Sequence, residues 1–276
     1  MALAHHAPSL TIKGEPAYRR YLFVISFTVL VLLFIAAPWP FAHKAHVVLH
    51  GLCAQRPSHT LFLGGQPLPF DARMTGIYGG FLAAGLYFVA RGRYRASRIP
   101  SIPTIILLGL SVSALAIDGT NSLLLDMLLW HPYEPDNRLR LLTGLLTGIA
   151  LAAVVTFLLA STLWRSPRND VRVVSGPGDF AWLLLIQAPF AAACLTERGE
   201  FFVPLTMSLV LAAVLALTSL MMATLALFRR QDGTFSTVHD LHNVAFWALL
   251  VAVAIMAFFS GGRFLLEHYL GPPVLT

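Results

Sequence analysis

The chain has 276 residues, of which 57% are hydrophobic and 12% are charged. A soluble domain usually carries about 25% charged residues, which is twice the share in this chain. The composition also excludes a disordered chain, a coiled coil and a disulfide scaffold. It indicates a multi-pass membrane protein. The net charge of +6 comes from basic residues in short clusters between apolar runs. Such clusters indicate orientation in a membrane, so we expect the lipid bilayer as a partner and no nucleic acid.

Seven apolar stretches predict an all-α, polytopic transmembrane helix bundle, since a membrane-spanning helix needs roughly 20 apolar residues. The stretches are 21–41, 76–90, 102–130, 141–164, 180–195, 201–228 and 241–260. The third is longer than one straight span requires, and the segment from Asp118 to Asn121 interrupts it. We expect this helix to kink there, or to end and continue as a short interfacial helix. No linker divides the chain, which predicts a single integral membrane domain over residues 1–276.

The distribution of basic residues predicts which way the bundle faces. Seven spans place twelve basic residues on one side of the membrane and seven on the other. The positive-inside rule assigns the richer side, which includes Lys13, Arg19 and Arg20, to the cytoplasm, so the N-terminus is predicted inside and the C-terminus outside. The first stretch exceeds the roughly 7–15 apolar residues of a secretory signal and is interpreted as a retained span. Abundant Arg, Ala and Leu indicate a prokaryote and hence its inner cell membrane.

Residues 42–75 form a long external loop, and long ordered loops often carry function. Histidines and a cysteine that suit zinc or another transition metal recur in it: His43, His46, His50, Cys53 and His59. The first four fall on one side of a helix. The alternative is an amphipathic helix in the membrane interface with its histidines facing water. A disulfide between Cys53 and Cys194, which ends the fifth span on the same side, is a further alternative.

Arginines follow the predicted starts of the second and fourth spans. Asp71 and Asp136 are interpreted as the N-caps of these helices. Basic residues in the first turn of a helix oppose its dipole, and a local rule broken in this way can mark a functional site. Because arginine forks and helix N-termini suit phosphate or carboxylate, we predict an anion-binding set of Arg56, Arg73, Arg138 and Arg140. The alternative is that these arginines only reach lipid head groups.

Two carboxylates lie within the third apolar stretch. An ionisable group at membrane depth is costly, so a functional role is the first hypothesis for Asp118 and a weaker one for Asp126. Asp118 could pair with an external arginine, relay a proton or bind a substrate, and it joins the predicted ligand-binding set. Alternatively, Asp118 caps a short helix after the break and Asp126 reaches water at the outer interface.

Small residues predict close helix packing in the second and fourth spans. The candidates are Gly79, Gly80, Gly85, Gly144 and Gly148. Glycine lets two helix backbones approach closely in a membrane, so these positions need no ligand to explain them.

Three segments carry a resemblance to a known family. They run from Cys53 to Tyr78, from Asp118 to Gly119 and from Asn137 to Gly144. Through them, residues 45–150 resemble the prokaryotic membrane-protein family called domain of unknown function 2085. The matching positions are Arg73, Thr75, Gly76, Tyr78, Asp118, Arg140 and Gly144, so the resemblance adds Tyr78 to the predicted ligand-binding set.

The chain departs from this family at its cysteines. The family often has Cys-His before a proline and then Cys-x-Arg-Cys-Thr-Gly, a pattern that implies a metal or redox centre. Here Cys53 is present, whereas Ala54, Asp71 and Met74 stand at the other positions. The resemblance therefore favours the arginine and aspartate set over a thiolate centre, and the family name implies no activity.

Three hypotheses for function follow. The first is binding or transport of an anion, a phosphate-bearing lipid or a small organic anion, at the outer-leaflet side, with no cofactor. The second is a membrane enzyme with a metal or redox site in the external loop. The third is a structural subunit of a homo- or hetero-oligomeric membrane complex. We rank them in this order.

Overall fold

The computed structural model describes residues 21–271, and Lys13, Arg19 and Arg20 lie outside this range. Eight α-helices lie within it: α1 (Leu22–Ala36), α2 (Phe41–Leu49), α3 (Ala72–Ala90), α4 (Ile102–Asp126), α5 (Asn137–Leu163), α6 (Pro177–Leu195), α7 (Phe202–Phe228) and α8 (His242–Leu270). Two short strand pairs join them, β1 (Thr60–Leu63) with β2 (Gln66–Asp71) and β3 (Ala96–Arg98) with β4 (Arg168–Arg172).

The all-α prediction is confirmed, because every predicted apolar stretch forms a helix and no sheet is larger than two strands within residues 21–271. Five helices, α4 to α8 with their flanking turns, are long and apolar enough to cross a membrane. Helix α1 is apolar but has only 15 residues. The count of seven spans and the sides on which the chain begins and ends stay predictions.

Helix α4 runs without a break from Ile102 to Asp126, so the predicted end at Asp118 is wrong. The hydroxyls of Thr120 and Ser122 donate to the carbonyl oxygens of Ala116 and Asp118, each one turn earlier, at 2.9 and 3.0 Å. These polar side chains are satisfied by the helix itself. Since a backbone in hydrocarbon keeps its hydrogen bonds internal, the helix continues through the polar segment.

The two faces of α4 reverse the pattern of a soluble helix. Its buried residues are all polar: Thr104, Ser111, Asp118, Asn121 and Ser122. Its exposed residues include Ile102, Leu110 and Ile117. A helix with polar residues toward the protein and apolar residues outward is stable against lipid rather than water. This helix therefore places a polar stripe inside the bundle.

Helices α3 and α5 pack against each other through facing glycines. A Cβ on Gly80 would lie 2.6 Å from the backbone oxygen of Leu145, and a Cβ on Gly148 would lie 2.5 Å from that of Ile77. Such contacts are the small-residue packing of membrane helices, and the prediction for this pair is confirmed. Gly85 has no neighbour within 4 Å of its position for a Cβ, so the prediction of close packing there is wrong.

One end of the bundle, the arginine-rich end, is formed by the connections 91–101, 164–176 and 229–241. Strands β3 and β4 pair in parallel there, and the amide of Arg168 donates to the carbonyl of Arg95 at 2.7 Å. Helices α3 and α5 therefore both end at this end of the bundle. This agrees with the alternating direction of successive spans that was assumed when the basic residues on each side of the membrane were counted.

The opposite end, the hairpin end, is formed by 37–71, 127–136 and 196–201. The amide of Gly64 in the β1–β2 turn donates to the carbonyl of Glu197 at 2.8 Å. Residues of the hairpin such as Phe70 are fully buried in the main apolar core. The loop predicted over 42–75 is thus an ordered cap on the helices.

Candidate functional site

Two helix starts bring arginines together at the hairpin end. The Asp71 carboxylate accepts from the amide of Met74 at 2.8 Å and begins α3, and the Asp136 carboxylate accepts from the amide of Arg138 at 3.0 Å and begins α5. Both predicted N-caps are confirmed. Because α3 and α5 run in parallel, the arginines in their first turns lie near one another.

Arg73 forms an ion pair with Asp118. Its Nη2 and Nε donate to the same carboxylate oxygen at 2.7 and 3.3 Å. The other oxygen of Asp118 accepts from the hydroxyl of Tyr133 at 3.2 Å. Asp118 is 1% exposed and Arg73 is 24% exposed, so the carboxylate is buried while the guanidinium reaches the surface. Asp118 therefore forms the pair with an arginine that the sequence suggested, and both of its carboxylate oxygens accept hydrogen bonds.

Arg140 is the more deeply buried of the two arginines, at 5% exposed. Its Nη1 donates to the side-chain oxygen of Asn137 at 2.7 Å, and its Nη2 donates to the hydroxyl of Ser122 at 3.4 Å. Its Nε is buried without a hydrogen-bond partner, and no carboxylate of residues 21–271 lies within 4.0 Å of its guanidinium. Both hydrogen-bond partners of this buried cation are neutral side chains.

Ser122 lies between the two guanidiniums. Its hydroxyl oxygen accepts from Arg73 at 3.1 Å and from Arg140 at 3.4 Å. We call Arg73, Asp118, Ser122, Tyr133 and Arg140 the two-arginine cluster. It contains two cations and one carboxylate, which leaves one positive charge in excess. An unpaired buried charge is costly, and an arginine fork beside a second arginine suits a carboxylate or phosphate group.

The other members of the predicted anion set lie elsewhere. Arg56 pairs with Asp126 at 2.5 Å, and both side chains are partly exposed at the rim, one turn of α4 beyond Ser122. Arg138 is exposed on α5. Tyr78 stacks on Phe70 with ring centroids 4.8 Å apart, so it contributes to the apolar core and does not reach the arginines.

Sequence reasoning missed four residues that form or hold the cluster: Asn121, Ser122, Tyr133 and Asn137. Asn121 and Tyr133 exchange side-chain and backbone hydrogen bonds, which fix the 127–136 connection over α4. Asn137 donates to the carbonyl of Ser58 at 3.2 Å while it accepts from Arg140. The spacing of Ser122, four residues after Asp118, was an available signal for one shared helix face. Asn137 begins one of the segments that carry the family resemblance, whereas no sequence pattern indicates Tyr133.

The predicted metal-ligand set does not converge. No group of three or more His, Cys, Asp or Glu side chains in residues 21–271 is placed to hold a metal ion. Helix α2 ends at Leu49, so Cys53 is not on the same helix as the histidines. His43 is exposed, and His59 lies beside Arg140 instead, where burial and then this positive charge lower its pKa.

His50 is 4% exposed, so the alternative in which the histidines face water is wrong for this residue. Its Nδ1 lies 2.7 Å from Gln55 Oε1, and its Nε2 lies 2.9 Å from Glu267 Oε2. The Gln55 amide nitrogen donates to two carbonyls, which fixes its oxygen toward His50. Both ring nitrogens of His50 thus have hydrogen-bond partners within the protein, which leaves neither nitrogen free to bind a metal.

Cys53 and Cys194 are both free and buried, so the disulfide alternative is wrong. The Cys53 thiol donates to Asp71 at 3.3 Å. Burial, and then the negative charge of Asp71, raise the pKa of Cys53 to about 12. Because the thiolate is the reactive form, this side chain is a poor nucleophile near neutral pH.

Folded protein of the Cys194→Ala variant is therefore expected to resist alkylation by maleimide at pH 8 and to react only after unfolding. Intact-mass measurement over time in mild detergent, with and without denaturant, checks this. Rapid labelling of the folded chain would contradict the burial of Cys53. Because the raised pKa keeps the folded thiol neutral, the stability that Cys53 contributes is complete below pH 9 and falls as pH rises toward 12.

Comparison with known proteins agrees with the resemblance in the sequence. Residues 53–154 match the model of the family described as Predicted membrane protein (DUF2085). Searches of curated proteins and of solved structures gave no match. The matched range contains every residue of the two-arginine cluster and the facing glycines of α3 and α5. Together with the five candidate spans, it identifies a multi-pass membrane protein.

Proposed function

We propose that this membrane protein binds an anionic ligand, through a phosphate or carboxylate group, at the two-arginine cluster. One observation carries the proposal: Arg140 is 5% exposed and has only neutral hydrogen-bond partners, with a second arginine on the same serine. Removing an ion from water costs several kcal/mol, roughly, when no counter-charge replaces the solvent. A bound anion would supply that counter-charge to Arg140.

The surroundings of the cluster support an anion rather than a metal or a neutral solute. The only carboxylate in the cluster, Asp118, already accepts from Arg73 and Tyr133. The free donor capacity belongs to Arg140, and Arg73 provides a route from the surface because its side chain is 24% exposed. Arg56 and Asp126 pair at the rim, where a weak, partly exposed ion pair could exchange for an entering anion.

The charge distribution supports placing this site on the outer side of a prokaryotic inner membrane. The connections of the arginine-rich end hold Arg91, Arg93, Arg95, Arg98, Arg165, Arg168, Arg172, Arg229 and Arg230. The positive-inside rule directs this end to the cytoplasm, and the two-arginine cluster then faces the outer leaflet. The site could serve for binding or as one stage of transport.

Purified protein in mild detergent is expected to gain thermal stability from inorganic phosphate, with Tm rising by several degrees, since a ligand at about 100 times its Kd adds about 2.7 kcal/mol. Arg140→Gln should abolish this gain. Arg138→Gln is the matched control, because Arg138 is exposed on the same helix two residues earlier, and it should retain the gain. Chloride at equal ionic strength controls for screening.

A second arm separates a free anion from a lipid head group. Phosphatidic acid replaces inorganic phosphate in the same Tm measurement. A larger effect of the lipid, again lost in Arg140→Gln, would assign the ligand to the lipids. An equal rise of Tm in Arg140→Gln and in the unsubstituted protein, or no rise with either probe, would overturn the proposal.

A further inference from the structure

A deep apolar cleft lies among elements that contribute nothing to the two-arginine cluster. Helices α1, α7 and α8 form its sides and α2 closes one end, and its volume is about 1030 Å³. This is at the upper end of the range of roughly 300–1,000 Å³ for ligand sites. Helix α1 buries none of its residues, so it forms a side of the cleft without filling it.

The cleft has the depth of one membrane leaflet. Its residues on α1 and the following C-cap extend from Phe27 to Ala37, and those on α8 extend from Val253 to Phe264. At about 1.5 Å per residue, each wall is about 15 Å long. The hydrocarbon core of a bilayer is about 30 Å thick, so the cleft spans about half of it. Its closed end at α2 coincides with the hairpin end of the bundle.

The wall offers almost nothing to a polar ligand. Most lining residues are aliphatic or aromatic, and the hydroxyls on α7 and α8 are those of Ser208 and Ser260. Ser208 donates to the carbonyl of Leu205, and Ser260 donates to the carbonyl of Val47. Because these hydroxyls are satisfied within the protein, the depth of the cleft suits a hydrocarbon chain.

A cation lies at the closed end. Lys44 Nζ donates to the carbonyls of Ile35 and Ala37 at 2.9 and 3.1 Å, which holds the ammonium at the end of α1. An ammonium has three donors, so one is left, and no carboxylate of residues 21–271 pairs with it. The exposed His43 lines the cleft beside Lys44. This end therefore complements a negative head group.

We propose that this cleft is a lipid site, in which an acyl chain lies between α1, α7 and α8 and a phosphate-bearing head group contacts Lys44. The apolar wall and the depth of one leaflet suit an acyl chain. The Lys44 ammonium, which pairs with no carboxylate of residues 21–271, suits a negative head group at the end of that chain. The site is separate from the anion site of the preceding section, since the two share no residue.

The test is mass spectrometry of the intact protein in mild detergent, titrated with phosphatidylglycerol and, in parallel, phosphatidylcholine. One bound phosphatidylglycerol is expected on the unsubstituted protein. Gly261→Leu places a side chain in the cleft, where no atom lies within 4 Å of the new Cβ, and should lower the bound fraction severalfold. Gly262→Leu is the matched control, because this neighbour is equally open but does not line the cleft.

Lys44→Gln is an independent variant. It keeps the cleft and should reduce the preference for phosphatidylglycerol over phosphatidylcholine by about fivefold, the effect of one lysine near an anionic lipid surface. Equal lipid binding in Gly261→Leu and Gly262→Leu would overturn the proposal. It would also be overturned if the unsubstituted protein were found as a dimer that carries no lipid. Loss of the lipid in Arg140→Gln but not in Gly261→Leu would also overturn it and would place the lipid at the two-arginine cluster.

Discussion

Gly148→Ala is expected to destabilise the protein strongly, because the new Cβ would meet the backbone of α3. It would lie 2.5 Å from Ile77 O, 2.7 Å from Phe81 N and 2.8 Å from a backbone carbon of Gly80. A flexible side chain could move aside, whereas these backbone atoms require the two helices to separate. Overpacking costs about 1–3 kcal/mol and occasionally more, and we expect the upper end of that range. Thermal unfolding in detergent measures it.

Gly85→Ala on α3 is the matched control. No atom lies within 4 Å of its Cβ position, so alanine should be neutral or should add up to about 1 kcal/mol through its higher helix propensity. Equal stability of Gly148→Ala and Gly85→Ala would show that α3 and α5 are not in backbone contact. Because this contact also sets the spacing of Arg73 and Arg140, Gly148→Ala should weaken phosphate binding as well.

Asp118→Asn is the second substitution with a large expected effect. It removes the only carboxylate of the two-arginine cluster and leaves two guanidiniums beside Ser122. Breaking a buried ion pair costs about 3–5 kcal/mol, and we expect about 3 kcal/mol because Arg73 reaches the surface. In a buffer without binding anions, Tm should fall by on the order of 10 °C.

The same variant should bind inorganic phosphate more tightly, because Asp118 no longer competes for Arg73. Its Tm should therefore recover as phosphate is added, which a purely structural ion pair would not do. Asp126→Asn is the matched control on the same helix, since its pair with Arg56 is partly exposed and should contribute no more than about 1 kcal/mol. A stability of Asp118→Asn equal to that of Asp126→Asn would contradict the buried pair.

Local signals in the sequence were sufficient to predict the helices and the starts of α3 and α5. Apolar length predicted each long helix, and Asp71 and Asp136 cap α3 and α5 as their positions indicated. Of the arginines that follow these caps, Arg73 and Arg140 meet at Ser122. Arg138 has the same local context and remains exposed, since its position on α5 points it away from α3 and α4.

Elsewhere the structure depends on contacts between segments that are distant in the sequence, and local patterns do not show such contacts. The segment Asp118 to Asn121 resembles a helix break in isolation, but Arg73 and Tyr133 satisfy its polar groups and the helix continues. The histidines resemble a metal stripe along α2. Gly51 meets the backbone of α8 at Phe259 and Ser260, and this close approach brings His50 toward Glu267.

The sequence by itself determined that this is a helical membrane protein, because apolar length and charge spacing depend only on neighbours along the chain. The tertiary structure decided which polar groups meet. Arg73 and Asp118 are 45 residues apart, and Ser122 and Arg140 are 18 apart. They are brought together by the parallel packing of α3 and α5 and by the inward polar face of α4. The excess charge at Arg140 arises from that packing, and the cleft beside Lys44 arises from the arrangement of α1, α2, α7 and α8. Local sequence patterns therefore contain neither feature.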